Sequence, residues 1–146
     1  MLRELNIRHL SLPLNAPFRI SRGVKHAAEV VTVELRQGDR IGRGESVPYP
    51  RYRESVASVL DEMESLREDL CAGMGRDELQ ARLTPGAARN ALDAALWDLE
   101  AKLTGVPVWA GLARPPRAPV TTALTVSLDT PQAMEQAAAR IAGARL

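Results

Sequence analysis

The apolar positions change period three times along the chain. Leu5, Ile7, Leu10 and Leu12 alternate with polar residues apart from a slip near His9, which predicts a strand with a bulge ahead of Pro13. His9 reads as a structural residue at that slip. Residues 30–35 and 41–47 form two further strand candidates, and Gln37-Gly38-Asp39-Arg40 between them has turn chemistry. Together the three runs predict an antiparallel meander. Val56, Val59, Leu60, Met63, Leu66 and Leu70 then recur at helical spacing, with Ser55 as N-cap and Gly73 as stop, and a short helix follows around residues 77–83.

Thr84-Pro85-Gly86 interrupts the chain before its strongest helix. There Ala88, Ala91, Leu92, Ala95, Leu96, Leu99 and Leu103 make one apolar stripe, while Arg89 with Asp93 and Asp98 with Lys102 sit at i,i+4 as pairs on a solvated face. Gly105 and Pro107 end it. Arg114-Pro115-Pro116-Arg117-Ala118-Pro119 reads as a stiff linker, which divides the chain into residues 1–113, a linker 114–119, and residues 120–146. In the last part, Val120, Thr122, Leu124, Val126 and Leu128 line one face of a strand. Asp129-Thr130-Pro131 then supplies a cap and a first-turn proline for a helix with Met134, Ala137, Ala138 and Ile141 inward, stopped by Gly143. A parallel strand and its crossover helix need a further strand, and a βαβ unit takes ~30 residues or more. The expectation is a chain cut inside a larger fold.

Composition narrows the function classes. Among 146 residues, 19 Lys and Arg nearly balance 18 Asp and Glu, so there is no broad electrostatic footprint for nucleic acid or an anionic membrane. All the basic residues but Lys25 and Lys102 are arginines, a bias that reflects genomic composition more often than carboxylate recognition. The lone Cys71, read as a helix-end core residue, excludes an internal disulfide framework. With no long apolar run and no signal-peptide pattern at the start, the expected setting is the cytoplasm.

Chemistry is sparse. Three of the five aromatics, Phe18, Tyr49 and Tyr52, fall in Pro- and Arg-flanked segments, APFRISRG at 16–23 and GESVPYPRY at 44–52, and not on periodic apolar faces. Recognition of a ligand and anchoring of a turn both account for that placement. Gly42 and Gly44 precede a proline-rich loop and not a helix, which argues against a phosphate cradle. His9 and His26 have no ligand-spaced partner, Cys71 has no nearby His, and no Ser sits in a nucleophile elbow. Glu45, at a strand end, reads as an Arg partner or turn cap before it reads as a general base. No catalytic centre and no metal site assembles from these residues.

PFRISRG at 17–23, GESVPYPRY at 44–52, PGAARNALDAALWDLEAKLTG at 85–105 and TALTVSLDTP at 122–131 resemble the dipeptide epimerases of the enolase superfamily, especially the L-Ala-D/L-Glu epimerases. The resemblance runs from about residue 5 onward. It implies an α+β capping domain, the three-stranded antiparallel meander plus helices, followed by the first βα unit of a truncated (β/α)₇β barrel whose active site lies where capping loops meet strand ends. It further implies Mg²⁺ in the intact enzyme, stabilising the ene-diolate formed when a weakly acidic α-carbon loses its proton to one of two lysines. Those lysines and the metal ligands are expected beyond Leu146, so a piece ending there is expected to be inactive.

Four positions carry over as substrate contacts. Thr125 matches a strand-end threonine, and Arg22 matches a capping-loop arginine whose planar guanidinium suits bidentate capture of the substrate's Glu carboxylate. Lys25 competes with Arg22 because one-residue gaps in this loop leave the alignment open. Phe18 and Tyr52 match the pocket wall. Arg53 departs from the family, which often has glycine there, and that puts the loop's backbone shape in question. A dipeptide is the implied substrate, with a homo-oligomer left open. The alternatives are another superfamily reaction, of the muconate cycloisomerase or o-succinylbenzoate synthase type, and a non-catalytic capping-domain binding module.

Overall fold

The computed structural model describes residues 2–112, 119 and 121–142. Strands β1 (Glu4–Ile20), β2 (Gly23–Gln37) and β3 (Arg40–Ser46) form an antiparallel sheet in the order β1-β2-β3, as the meander pattern predicts. Gly38, at φ 61°, opens the β2–β3 turn, and the register pairs Val31 with Ser46, Val33 with Gly44 and Leu35 with Gly42. Alternation then puts Val31, Val33 and Leu35 on the buried face.

The first strand is longer than its pattern suggests. It does not stop at Pro13 but continues through Pro17 to Ile20, so residues 16–20 are strand and not loop, and Ser21-Arg22 makes the turn. β1 is an edge strand, where a proline's missing N–H need not break a ladder.

Helix α1 (Val56–Glu64) starts at the predicted cap, with Ser55 and Ser58 exchanging backbone-to-hydroxyl hydrogen bonds of 3.0 Å in a capping box. The single helix expected to Leu70 breaks at Ser65-Leu66 and resumes as α2 (Arg67–Ala72). At the break the Ser65 hydroxyl donates to the Glu62 carbonyl at 2.7 Å, the kind of local bond that competes with helix continuation. The apolar phase survives, and Val59, Met63, Leu66 and Leu70 are all buried. Helix α3 (Arg76–Arg82) adds Leu79 to the core. Helix α4 (Ala87–Thr104) ends at Gly105, whose φ of 71° is the left-handed stop that glycine supplies, and one further turn, α5 (Val108–Gly111), follows.

The centre of the core is the contact of α4 with β3. A Cβ placed on Gly42 or Gly44 would collide with the backbone carbonyls of Ala95 and Ala91, respectively. The two glycines therefore admit helix backbone onto strand backbone. The same helix closes the exposed edge of β3. Asp98 Oδ2 accepts the Arg43 N–H at 2.8 Å, Lys102 Nζ donates to the Ile41 carbonyl at 2.7 Å, and Asn90 donates to the Glu45 carbonyl at 3.3 Å. The Asp98–Lys102 pair, 2.6 Å apart, thus forms at the predicted spacing but serves the sheet edge and is not merely solvated. Arg89 does not meet Asp93; it donates to the Leu83 carbonyl at 3.3 Å, and Asp93 Oδ1 is buried with no hydrogen-bond partner among the described residues. Leu103, expected in the buried stripe, is exposed.

Two compact units divide the chain, residues 1–11 with 29–116 and residues 12–28 with 117–146. In the second unit, helix α6 (Pro131–Ala142) begins as predicted: Thr130 Oγ1 accepts the Ala133 N–H at 3.3 Å and Pro131 is the first helical residue. Met134, Ala137 and Ile141 are half-buried, whereas Ala138, expected inward, is exposed. The strand expected over 120–128 does not form in its described part: residues 121–128 join no ladder, and 127–128 meet β1 through one hydroxyl and one N–H. Val120, Gly143 and the linker 114–119 other than Pro119 lie outside the described residues.

Candidate functional site

In the second unit, the hairpin of β1 and β2 presents Arg22 at its two-residue turn, exposed, with Phe18 half-buried four residues earlier on β1. Residues 127–128 meet this strand through three hydrogen bonds. The Arg19 N–H donates to Ser127 Oγ at 2.8 Å, the Ser127 hydroxyl donates to the Pro17 carbonyl at 3.2 Å, and the Leu128 N–H donates to the Arg19 carbonyl at 2.9 Å. Thr125, exposed, stands two residues before Ser127. The segments bearing Phe18 and Thr125, far apart in sequence, are therefore joined at the root of the turn that carries Arg22.

Arg22 takes part in no ion pair among the described residues, unlike several arginines of the first unit. Arg43 is held by Glu34 at 2.9 Å, and Arg67 by Glu64 at 2.6 Å. Arg76 is bound to Glu100 at 2.8 Å and lies 3.3 Å over the Trp97 ring. The Arg67 hydrogen bonds hold the Glu64 carboxyl below its ordinary range against a small desolvation cost. An unpaired guanidinium on an exposed turn suits an anionic ligand.

Tyr52 belongs to the first unit. It sits in a 3₁₀ turn, Pro50–Tyr52, 72% exposed, with its ring centroid 5.9 Å from that of Tyr49. The turn closes through Arg53, whose φ of 64° and ψ of 27° are left-handed and whose N–H reaches the Pro50 carbonyl at 2.9 Å. Arginine occupies here the backbone conformation that glycine adopts without cost. Glu54 then clasps the loop. Its Oε2 accepts the Tyr49 N–H at 3.0 Å and its Oε1 accepts the Ala87 N–H at 2.7 Å, in the first turn of α4. Nothing in the one-dimensional pattern singles out Glu54, because its partners are set by tertiary packing.

Two other clusters stand in the first unit. Glu29 accepts from the Ser11 hydroxyl and pairs with His9 Nε2, both at 2.5 Å, and these hydrogen bonds hold its carboxyl below the ordinary range. His9 thus has a structural partner, as expected from its place in the strand. Glu45 lines an open groove of about 510 Å³ together with Arg43, Glu34 and Arg8, while its backbone carbonyl ties to Asn90. Among the described residues no group of three or more His, Cys, Asp or Glu side chains is placed to hold a metal ion, and no helix is long and apolar enough to cross a membrane.

Comparison with known proteins places this geometry. Residues 2–112 match the family model for the mandelate racemase / muconate lactonizing enzyme N-terminal domain. The L-Ala-D/L-Glu epimerase of Escherichia coli strain K12 is 43% identical across 99% of this chain and 46% of its own length. An enolase family member from Agrobacterium tumefaciens with homology to dipeptide epimerases, crystallised with sodium and L-Ala-L-Glu and with an ordered loop, is 43% identical. It superposes with a TM-score of 0.92 over 97% of this chain and 43% of that one. A dipeptide epimerase from Cytophaga hutchinsonii, complexed with Mg and D-Ala-L-Val, is 26% identical with a TM-score of 0.82 over 97% of this chain and 41% of that one. The chain spans less than half the length of each of these relatives. It belongs to the mandelate racemase / muconate lactonizing enzyme family of the enolase superfamily, and along nearly its whole length it is similar to the N-terminal portion of dipeptide epimerases.

Proposed function

We propose that this chain is the capping region and first barrel unit of a dipeptide epimerase that interconverts L-Ala-L-Glu and L-Ala-D-Glu through removal and return of the Glu α-proton. On this reading residues 1–113 are the capping domain, 114–119 the linker and 120–146 the first βα unit of the barrel domain. The observation that carries it is the 43% identity to an L-Ala-D/L-Glu epimerase across 99% of the chain, which includes both the hairpin turn and residues 122–131. Arg22, on an exposed turn and in no ion pair among the described residues, supports it.

Each residue then has a task. Arg22 binds the side-chain carboxylate of the substrate's Glu through paired N–H groups, and Thr125 contacts the dipeptide from the extended chain segment two residues before Ser127. Phe18 gives the substrate an apolar wall beside Arg22, and the resemblance assigns Tyr52 of the first unit a substrate contact as well. Mg²⁺, when bound, stabilises the negative charge that develops on the substrate carboxylate. The resemblance to dipeptide epimerases assigns its ligands and the two acid/base lysines to later barrel strands, beyond residue 146. Residues 1–146 alone are therefore inactive on this reading. The setting is cytoplasmic, with no nucleic acid or membrane partner.

The test is turnover by the protein extended through its barrel, with Mg²⁺, across L-Ala-L-Glu, a neutral-ended dipeptide and the substrate of o-succinylbenzoate synthesis. Conversion of L-Ala-L-Glu to L-Ala-D-Glu in preference to the others is expected. Exclusive dehydration of the last substrate would instead assign the sister reaction.

A further inference from the structure

Ser127 is absent from every set of substrate contacts above, yet it holds the hairpin that bears two of them. Its hydroxyl accepts the Arg19 N–H at 2.8 Å and donates to the Pro17 carbonyl at 3.2 Å, while the next residue's N–H reaches the Arg19 carbonyl at 2.9 Å. We propose that Ser127 is a positioning residue: its hydroxyl latches the Pro17–Arg19 segment of β1 beside Thr125 and so sets where the Arg22 turn meets an anionic substrate. The proposal rests on the dipeptide-epimerase reading.

The chemistry of the latch is specific. A hydroxyl donates one hydrogen bond and accepts others, so one oxygen serves both an N–H and a C=O two residues apart. Here it stands where the opposing backbone of a β-ladder would place two separate groups. Because all three bonds engage backbone atoms of Pro17 and Arg19, the Phe18 and Arg22 side chains are not consumed by the latch. Arg22 lies three residues beyond Arg19 in a hairpin turn, and an unlatched root would let the guanidinium sample positions that a bidentate contact cannot use. The effect should fall on binding of the charged substrate and not on proton transfer, which the assigned lysines perform elsewhere.

The experiment compares wild type, Ser127→Ala and Ser127→Thr in the protein extended through its barrel, measuring kcat and KM for L-Ala-L-Glu and amide hydrogen exchange at Arg19. Alanine removes both bonds of the hydroxyl and threonine retains it. For Ser127→Ala the expected result is Arg19 exchange faster by about tenfold and KM raised by about tenfold, with kcat within about twofold, as loss of one or two neutral hydrogen bonds predicts. Ser127→Thr should restore both quantities. Unchanged Arg19 exchange in Ser127→Ala, or faster exchange with KM unmoved in an active enzyme, overturns the role while the epimerase reading stands. A wild-type protein that turns over no dipeptide overturns both.

Discussion

Glu54 Oε1 accepts the backbone N–H of Ala87 at 2.7 Å, so the first turn of α4 is capped by a side chain 33 residues away. The residue at the cap position, Gly86, has no side chain to do this, and the carboxylate also meets the positive end of the helix dipole. Because its second oxygen holds Tyr49, one group ties the aromatic loop to the central helix. Glu54→Ala should cost about 1–3 kcal/mol in urea denaturation, with Glu54→Gln intermediate. Equal stability of Glu54→Ala and wild type would show that the clasp contributes nothing.

Gly44 and Gly42 make a sharper test of packing. Either glycine changed to alanine drives a Cβ into a helix carbonyl that belongs to backbone and cannot rotate away. Gly44→Ala should lose at least about 3 kcal/mol, or fail to fold. Gly111→Ala, in open space on α5, is the control and should change stability by less than about 1 kcal/mol. Similar small effects at both sites would contradict the close approach of α4 to β3.

Arg53 tests the departure from the glycine expected in its loop. The left-handed backbone costs an L-residue roughly 1 kcal/mol, partly offset because glycine loses more chain entropy on folding. Arg53→Gly should therefore match or slightly exceed wild type, while Arg53→Val should lose about 1–2 kcal/mol because β-branching is poorly tolerated there. A valine variant as stable as the glycine variant would contradict this backbone assignment.

Acid should weaken the covered edge of β3. Burial raises the Asp98 carboxyl pKa, but the hydrogen bonds from Lys102 and the Arg43 N–H outweigh it and hold the group below its ordinary range. A carboxyl depressed in the folded state stabilises above its unfolded pKa, and that contribution disappears as pH falls through the folded value. The stability gap between wild type and Asp98→Asn should be full near about pH 6 and shrink by about pH 3. A gap independent of pH would remove the ionised pair from the account.

The elements readable from one dimension are those in which period and burial coincide. The meander and the α4 stripe were legible because Val31, Val33, Leu35, Ala91, Leu92 and Leu99 repeat at the spacing of the face they bury. The break at Ser65 was not, since Leu66 and Leu70 stay in phase across it, and periodicity reports phase and not continuity. Nor was the length of β1, because Pro13 and Pro17 stop a strand only when it is internal. Gly42, Gly44 and the Asp98–Lys102 pair were visible, but their purpose depends on the backbone across from them. At the site, motif resemblance proposes Phe18, Arg22, Thr125 and Tyr52, whereas Ser127 and Glu54 stand out in no motif. Their partners are backbone groups, which leave no mark on the sequence.

Arg22 carries the specificity claim. In the protein extended through its barrel, Arg22→Met should lower kcat/KM for dipeptides ending in Glu by about one to two decades and leave neutral-ended dipeptides little affected, as loss of a charge-assisted hydrogen bond of ~1.5–3 kcal/mol predicts. Equal losses would reject the carboxylate contact, and a selective loss in Lys25→Met alone would transfer the role to Lys25.

The central claim, proton removal and return at the Glu α-carbon, is tested most directly by proton NMR of L-Ala-L-Glu in D₂O with the barrel-containing protein and Mg²⁺. The Glu α-proton signal is expected to decay as deuterium enters and L-Ala-D-Glu to accumulate, with residues 1–146 alone giving neither change. An α-proton that persists as in the buffer blank with the extended protein, or that exchanges with residues 1–146 alone, would contradict it.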